Sequence, residues 1–155
     1  MQVPSDWDLQ EVENRLYWPI VTIIRLTPAF DIHKSFDTDP SDGSTYLDIN
    51  EQNNIRNMSL DTLMKNNINI IKNDNNTSDF KLLSSTTNSI LAGRNVYTMV
   101  YASTYNGLKT ITMDSATLCG NRIYSATFNA EPSSYAELAQ TAKKMFESLR
   151  VTTVS

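Results

Sequence analysis

Asp37, Asp39, Ser41 and Asp48 stand at positions 1, 3, 5 and 12 of a calcium-loop count. Hard oxygen ligands at that spacing wrap Ca²⁺. The match is incomplete. Pro40 interrupts the run, Asp42 stands where such a loop carries glycine, and no helical pattern flanks it. A loop of Asx, Pro and Gly turns accounts for the same residues. Asp31 and His33 add two ligands, too few for a transition-metal site. The turn-rich loop is therefore the preferred reading of residues 31–48; no cofactor is implied, and Ca²⁺ is only a weak fit to the loop's spacing.

Other reactive side chains lack partners for chemistry. Cys119 precedes the Gly120-Asn121 turn, and a nucleophilic thiol needs a base that lowers its pKa. The single His, His33, is not placed near it by any motif, so Cys119 reads as a packing or turn thiol. There is no G-x-S-x-G sequence and no second His for a serine triad. Acid pairs are plentiful, but sequence alone selects none of them. Tyr97, Tyr101, Tyr105 and Tyr124 fall on adjacent expected strands. They could line a ligand pocket or a partner face, but cross-strand aromatic pairing explains them better. No catalytic residue emerges.

Composition narrows the field further. The chain has 155 residues, one Cys and a net charge of −4, enough for one domain with an ordinary core. One Cys excludes an intrachain disulfide and a Cys-rich zinc site. No apolar run reaches the ~20 residues that span a bilayer, and a pI near 4.9 argues against a general nucleic-acid binder. The charge is uneven. Residues 1–51 hold ten acids and three bases, net −7; residues 52–155 hold seven acids and ten bases, net +3. That asymmetry marks either a solvated acidic loop or an acidic partner-facing surface, with Asp31 and Asp42 its candidate contacts and Tyr97 and Tyr101 candidates on the tyrosine face. The sixteen Asn residues generate three glycosylation-type sequons, about the number expected by chance.

Two kinds of periodicity must position these residues. Trp7 and Leu9 suggest a short strand, Pro19 to Thr27 a buried β-branched strand, and Thr45 to Glu51 a strand with Leu47 and Ile49 on one face. Residues 28–44 read as a long polar loop. Ser59 caps a helix over about 59–73 with Asp61 in its first turn, and Leu60, Leu63, Met64, Ile68 and Ile71 form its apolar stripe. Asn73 to Ser78 stops it. Four strands follow, Phe80–Leu91, Asn95–Thr104, Leu108–Leu118 and Asn121–Ala130, with Asn106-Gly107 the strongest hairpin turn and Gly93 and Gly120 marking the others. A last helix over about 133–149 opens on a Ser134/Glu137 capping box and buries Leu138, Ala142, Met145, Phe146 and Leu149. Strands apolar on both faces call for a sheet covered on both sides. The expectation is one α+β domain over 1–155, an α-β-α sandwich with a mainly antiparallel sheet of six to seven strands.

This layout resembles the PsbP family, above all its short archaeal and bacterial members. Pro4-Ser5-Asp6-Trp7 is similar to their "YPSDW" opening, and Ser59-Leu60-Asp61 to the start of their first helix. Leu91 to Tyr97, continued by Val100-Tyr101, resembles "LAGxxAYxxxY". Gly120 to Tyr124, then Thr127 and Ala130-Glu131-Pro132, resembles "GNKxYxxTYxAEP". Tyr135 and Met145 to Leu149 resemble the final helix. Each motif is loose, and mostly reports turns and packing; their order covers nearly the whole chain. The resemblance implies an α-β-α sandwich, a fold shared with a Ran-release factor of nuclear import, and a non-enzymatic accessory role. Plant PsbP proteins are extrinsic subunits that support calcium and chloride retention at photosystem II. With one His, no His-based metal site of the family maps here, and neither photosynthesis nor any functional residue is carried over.

The sequence is accordingly read as a non-enzymatic PsbP-like accessory or binding protein. It is expected to be monomeric and extracytoplasmic, its abrupt opening suggesting a signal or anchor upstream of Met1. The alternatives are a cytosolic protein-interaction module with an acidic N-terminal surface, and a domain that binds calcium or a small ligand.

Overall fold

The computed structural model describes residues 7–14, 21–28, 45–54, 56–91 and 94–148. Seven strands and two helices follow one another as β1 (Trp7–Asn14), β2 (Val21–Pro28), β3 (Tyr46–Asn53), α1 (Leu60–Asn73), β4 (Thr77–Leu91), β5 (Arg94–Tyr105), β6 (Leu108–Cys119), β7 (Arg122–Ala130) and α2 (Pro132–Ser148). All seven strands join one antiparallel sheet in the order β1-β2-β3-β7-β6-β5-β4. Two meanders, β1–β3 and β4–β7, therefore meet at the β3–β7 pair, where Glu51 lies opposite Tyr124.

Local chemistry sets the boundaries. At Asn106-Gly107 both residues have positive φ, 48° and 84°, as a type I′ turn requires. The Ser59 side chain accepts from the Thr62 backbone N–H, and Asp61 pairs with Lys65 at 2.7 Å one turn on. Asn54 fixes the approach to α1: its amide donates to the Met58 carbonyl at 3.1 Å and its Oδ1 accepts from the Met58 N–H at 2.8 Å. Asn57 (φ 46°) and Asn106 use the left-handed region that Asn tolerates. Part of the Asn excess thus serves turns and helix ends.

Three boundaries differ from the sequence expectation. β4 starts at Thr77, three residues early, because Asp79 adopts φ 53° at a register shift and lets the polar residues Thr77 and Ser78 pair with Tyr105 and Thr104. β1 extends to Asn14, beyond the short strand suggested by Trp7 and Leu9. In α2, Ser134 and Glu137 do not form the opening capping box. The helix begins at Pro132, whose fixed φ and missing N–H suit a first position, and the Glu131 carbonyl accepts from Ser134 and Tyr135. The Gly93 turn and Leu149 lie outside the described residues.

Two cores lie back to back across the sheet. On one face α2 packs Ala142, Met145 and Phe146 against Leu47, Met113, Ala126 and Phe128. On the other, Leu63 of α1 meets Tyr97, Met99, Tyr101, Ala116 and Ile123, with Leu60, Met64, Ile68 and Ile71 at the margin. The stripes on both helices fit the spacing of their apolar residues. The chain is an α-β-α sandwich, with α1 over β4–β6 and α2 over β6 and β7. β6 is packed by both helices, α1 on one face and α2 on the other.

Candidate functional site

Strand parity decides which side chains meet. Residues opposite each other in an antiparallel pair share a face. On the α1 face, Tyr101 lies opposite Thr112, Thr112 opposite Asn129, and Asn129 opposite Tyr46. In the next row Met99 lies opposite Asp114, Asp114 opposite Thr127, and Thr127 opposite Asp48, with Arg25 of β2 at the following register position. A stripe of hydroxyls, amides and acids thus crosses the sheet beyond the apolar seat of α1.

Asp114 is the unusual member. It lies in the doubly packed strand β6 and is 9% exposed. Burial pushes its carboxyl up to about 6, although hydrogen bonds from the Thr127 and Tyr101 hydroxyls pull the other way. Its Oδ1 is buried with no hydrogen-bond partner. Burial, then the Asp114 charge, holds the Tyr101 phenol well above its ordinary value, so it remains a hydroxyl at physiological pH. Tyr97 is raised by the same two causes and accepts a 2.6 Å hydrogen bond from the Asn67 amide.

A cavity of about 270 Å³ opens between this stripe and the end of α1. Its floor includes Thr112, Thr127 and Asn129, and Thr112 donates to Asn129 Oδ1 at 2.8 Å. Tyr46, Tyr101 and Tyr105 contribute aromatic walls. The opposite wall is Ile70, Ile71 and Asp74 of the α1 C-terminus. Tyr101 also packs on Phe80, with ring centroids 5.4 Å apart. Behind Tyr101 and Thr127 lies the Asp114 carboxyl. A second cavity, about 410 Å³, lies on the α2 face between Ile90, Thr98, Lys143 and Phe146, where Thr98 and Ser115 hydrogen-bond each other at 3.0 Å. The α1-side cavity stands out because a buried carboxyl underlies it.

The tyrosines singled out in the sequence do not make one face. Tyr101 and Tyr105 line the cavity, and Tyr97 is sealed beneath α1. Tyr124 lies on the α2 side opposite Thr117, bonded to Glu51 at 3.2 Å, with Arg122 2.7 Å from the same carboxylate. The odd-numbered partner in β6 puts it there. Cys119 is free and buried at the end of β6. Asp48 is half-buried in β3, as its strand pattern required. Asp31, His33, Asp37, Asp39 and Asp42 lie outside the described residues. Among the described residues no group of three His, Cys, Asp or Glu could hold a metal ion, and no helix is long and apolar enough to cross a membrane. Asp114 escaped the sequence reading because Thr112-Met113-Asp114-Ser115 scans as ordinary alternation. The available signal was its position in a strand expected to be covered on both faces, where an acid must be buried.

No protein-family model matches the sequence, and no curated protein sequence is significantly similar to it. Solved structures are similar in fold. Cyanobacterial PsbP (CyanoP) from Synechocystis sp. PCC 6803 superposes with a TM-score of 0.67 at 12% identity, covering 97% of this chain and 84% of that one. PA94 from Pseudomonas aeruginosa, a protein of unknown function, gives 0.66 at 10% identity over 93% and 99% of the two chains. The superposition with CyanoP spans nearly the whole chain, and the fold is that of the PsbP-like proteins.

Proposed function

We propose that this chain is a non-enzymatic PsbP-like accessory protein, acting outside the cytoplasm, that binds a small polar ligand in the cavity between α1 and the sheet. The observation that carries this reading is the cavity's construction. Hydroxyl, amide and phenol groups converge from β3, β5, β6 and β7 onto one space, on regular elements that hold them in place. Binding suits these groups better than catalysis. Thr112 is committed to Asn129, and Asp114, whose carboxyl burial pushes up to about 6, stands behind two hydroxyls and does not itself line the cavity.

The test is a thermal-shift screen of the full chain against amines, polyols, short carboxylic acids and Ca²⁺, repeated with Thr112→Val and Asn129→Leu. A ligand at 100 times its Kd adds about 2.7 kcal/mol. The reading expects at least one compound to raise Tm in the native chain and not in the cavity variants. A panel that leaves Tm unchanged, or raises it equally in both, rejects it. The extracytoplasmic assignment is tested by fractionating native cells; recovery in the cytosol alone would defeat it.

A further inference from the structure

Resting on that reading of the cavity, we propose that its ligand is a small organic cation, a substituted ammonium ion held against tyrosine rings at the negative end of α1. Three features of the walls converge on this class. The C-terminal turn of a helix carries its partial negative charge, and here that turn supplies Ile70, Ile71 and Asp74. Asp74 is the C-cap; one carboxylate oxygen accepts from the Asn76 N–H at 3.0 Å and the other from Thr77 Oγ1 at 3.2 Å. A carboxylate has about four acceptor sites, so each oxygen keeps capacity for a further donor.

The facing wall is aromatic. Tyr46, Tyr101 and Tyr105 all line this space, and an ammonium ion over a tyrosine ring gains about 0.5–2 kcal/mol, depending on desolvation. The same aromatic cluster already holds a cation on its helix side: Lys72 Nζ stands 5.4 Å from the Phe80 centroid, and Phe80 packs on Tyr101. Beneath the floor the Asp114 carboxyl adds a second acid, with Oδ1 unpaired. Among the described residues, the lining contains no Lys, Arg or His to neutralise these groups. A metal ion fits poorly, since ligands here are separate hydroxyls and rings, and no three acidic or soft ligands converge among the described residues. An anion would meet acids and a helix C-terminus.

Calorimetric titration of the full chain should use choline chloride, its uncharged carbon isostere 3,3-dimethyl-1-butanol, and CaCl₂. The expected result is saturable choline binding, at least tenfold tighter than the isostere, with no Ca²⁺ heat attributable to the cavity. Tyr105→Leu should weaken choline about two- to fivefold, and Asp74→Asn, which keeps the side-chain shape and one of its two local hydrogen-bond acceptors, about fivefold, each with unchanged far-UV CD. Amide resonances of Ser103, Thr112 and Asn129 should shift on choline addition. Equal binding of choline and 3,3-dimethyl-1-butanol, or choline shifts confined to other residues, overturns the cation assignment. If choline fails while an uncharged or anionic compound shifts those same amides, the cation assignment falls and the cavity reading stands. If no compound shifts them, both fall.

Discussion

The Asp114 carboxyl and the Tyr101 hydroxyl are diagonal neighbours on β6 and β5, hydrogen-bonded within the sheet's interior. The pair fixes a sign for the protein's acid response. Burial raises the folded-state pKa of Asp114 from 3.8 to about 6, so the fold prefers the protonated acid. Stability contributed by that proton is fully present below pH 4 and is lost as pH rises through 6, a difference of ~3 kcal/mol. Asp114→Asn should remove this slope and raise stability at pH 7. Urea unfolding followed by CD at pH 4 to 8 checks it. A native chain whose Asp114-dependent term grows with pH would contradict the burial argument.

Asn67 and Tyr97 give a second measurable pair. The Asn67 amide reaches Tyr97 Oη at 2.6 Å beneath α1. Asn67→Ala leaves a buried hydroxyl without that donor and should cost about 1–3 kcal/mol. Removing both polar groups together, Asn67→Ala with Tyr97→Phe, should cost less than the sum of the single changes. A double-mutant cycle by chemical denaturation reads the coupling directly.

Core and cap differ in scale. Phe128 is fully buried between the sheet and α2, with Tyr135 at 5.6 Å between ring centroids. Phe128→Ala should lose about 3–5 kcal/mol. Ser59→Ala, which removes one cap acceptor, should lose about 0.5–2 kcal/mol. Thermal melts of the two variants should therefore separate clearly, with the core variant lower.

Gly107 tests the turn independently of packing. A Cβ built there meets nothing within 4 Å, yet its φ is +84°. Gly107→Ala should cost about 1–2 kcal/mol from backbone strain alone. Unfolding free energies with an unaltered denaturant slope would confirm a local effect.

Much of the fold was legible because its signals are local. Asn106-Gly107, the Ser59 cap and the 3.6-residue stripe at Leu60, Leu63 and Met64 each act over a few residues, and each marks its element correctly. The site was less legible because it depends on register between distant strands. Thr112 meets Asn129 only through the β6–β7 pairing, and Tyr46 joins them only through β3–β7. Tyr124 shows the same limit in reverse: its neighbours in the alternation were visible, while the face it takes was set by Thr117 across the sheet. The start of β4 was misplaced for a different reason. Asp79 in the left-handed region lets polar residues pair where composition reads as loop.

The β3–β7 seam should set the order in which this protein assembles. Every other strand pair links neighbours in the chain, but Glu51 and Tyr124 are 73 residues apart. Closing that distance carries the largest loop entropy in the sheet, so the β4–β7 meander should gather first and the β1–β3 unit should dock onto a strand edge already made. Amide exchange should then reveal two cooperative units, with β6 slowest and the seam opening as one step.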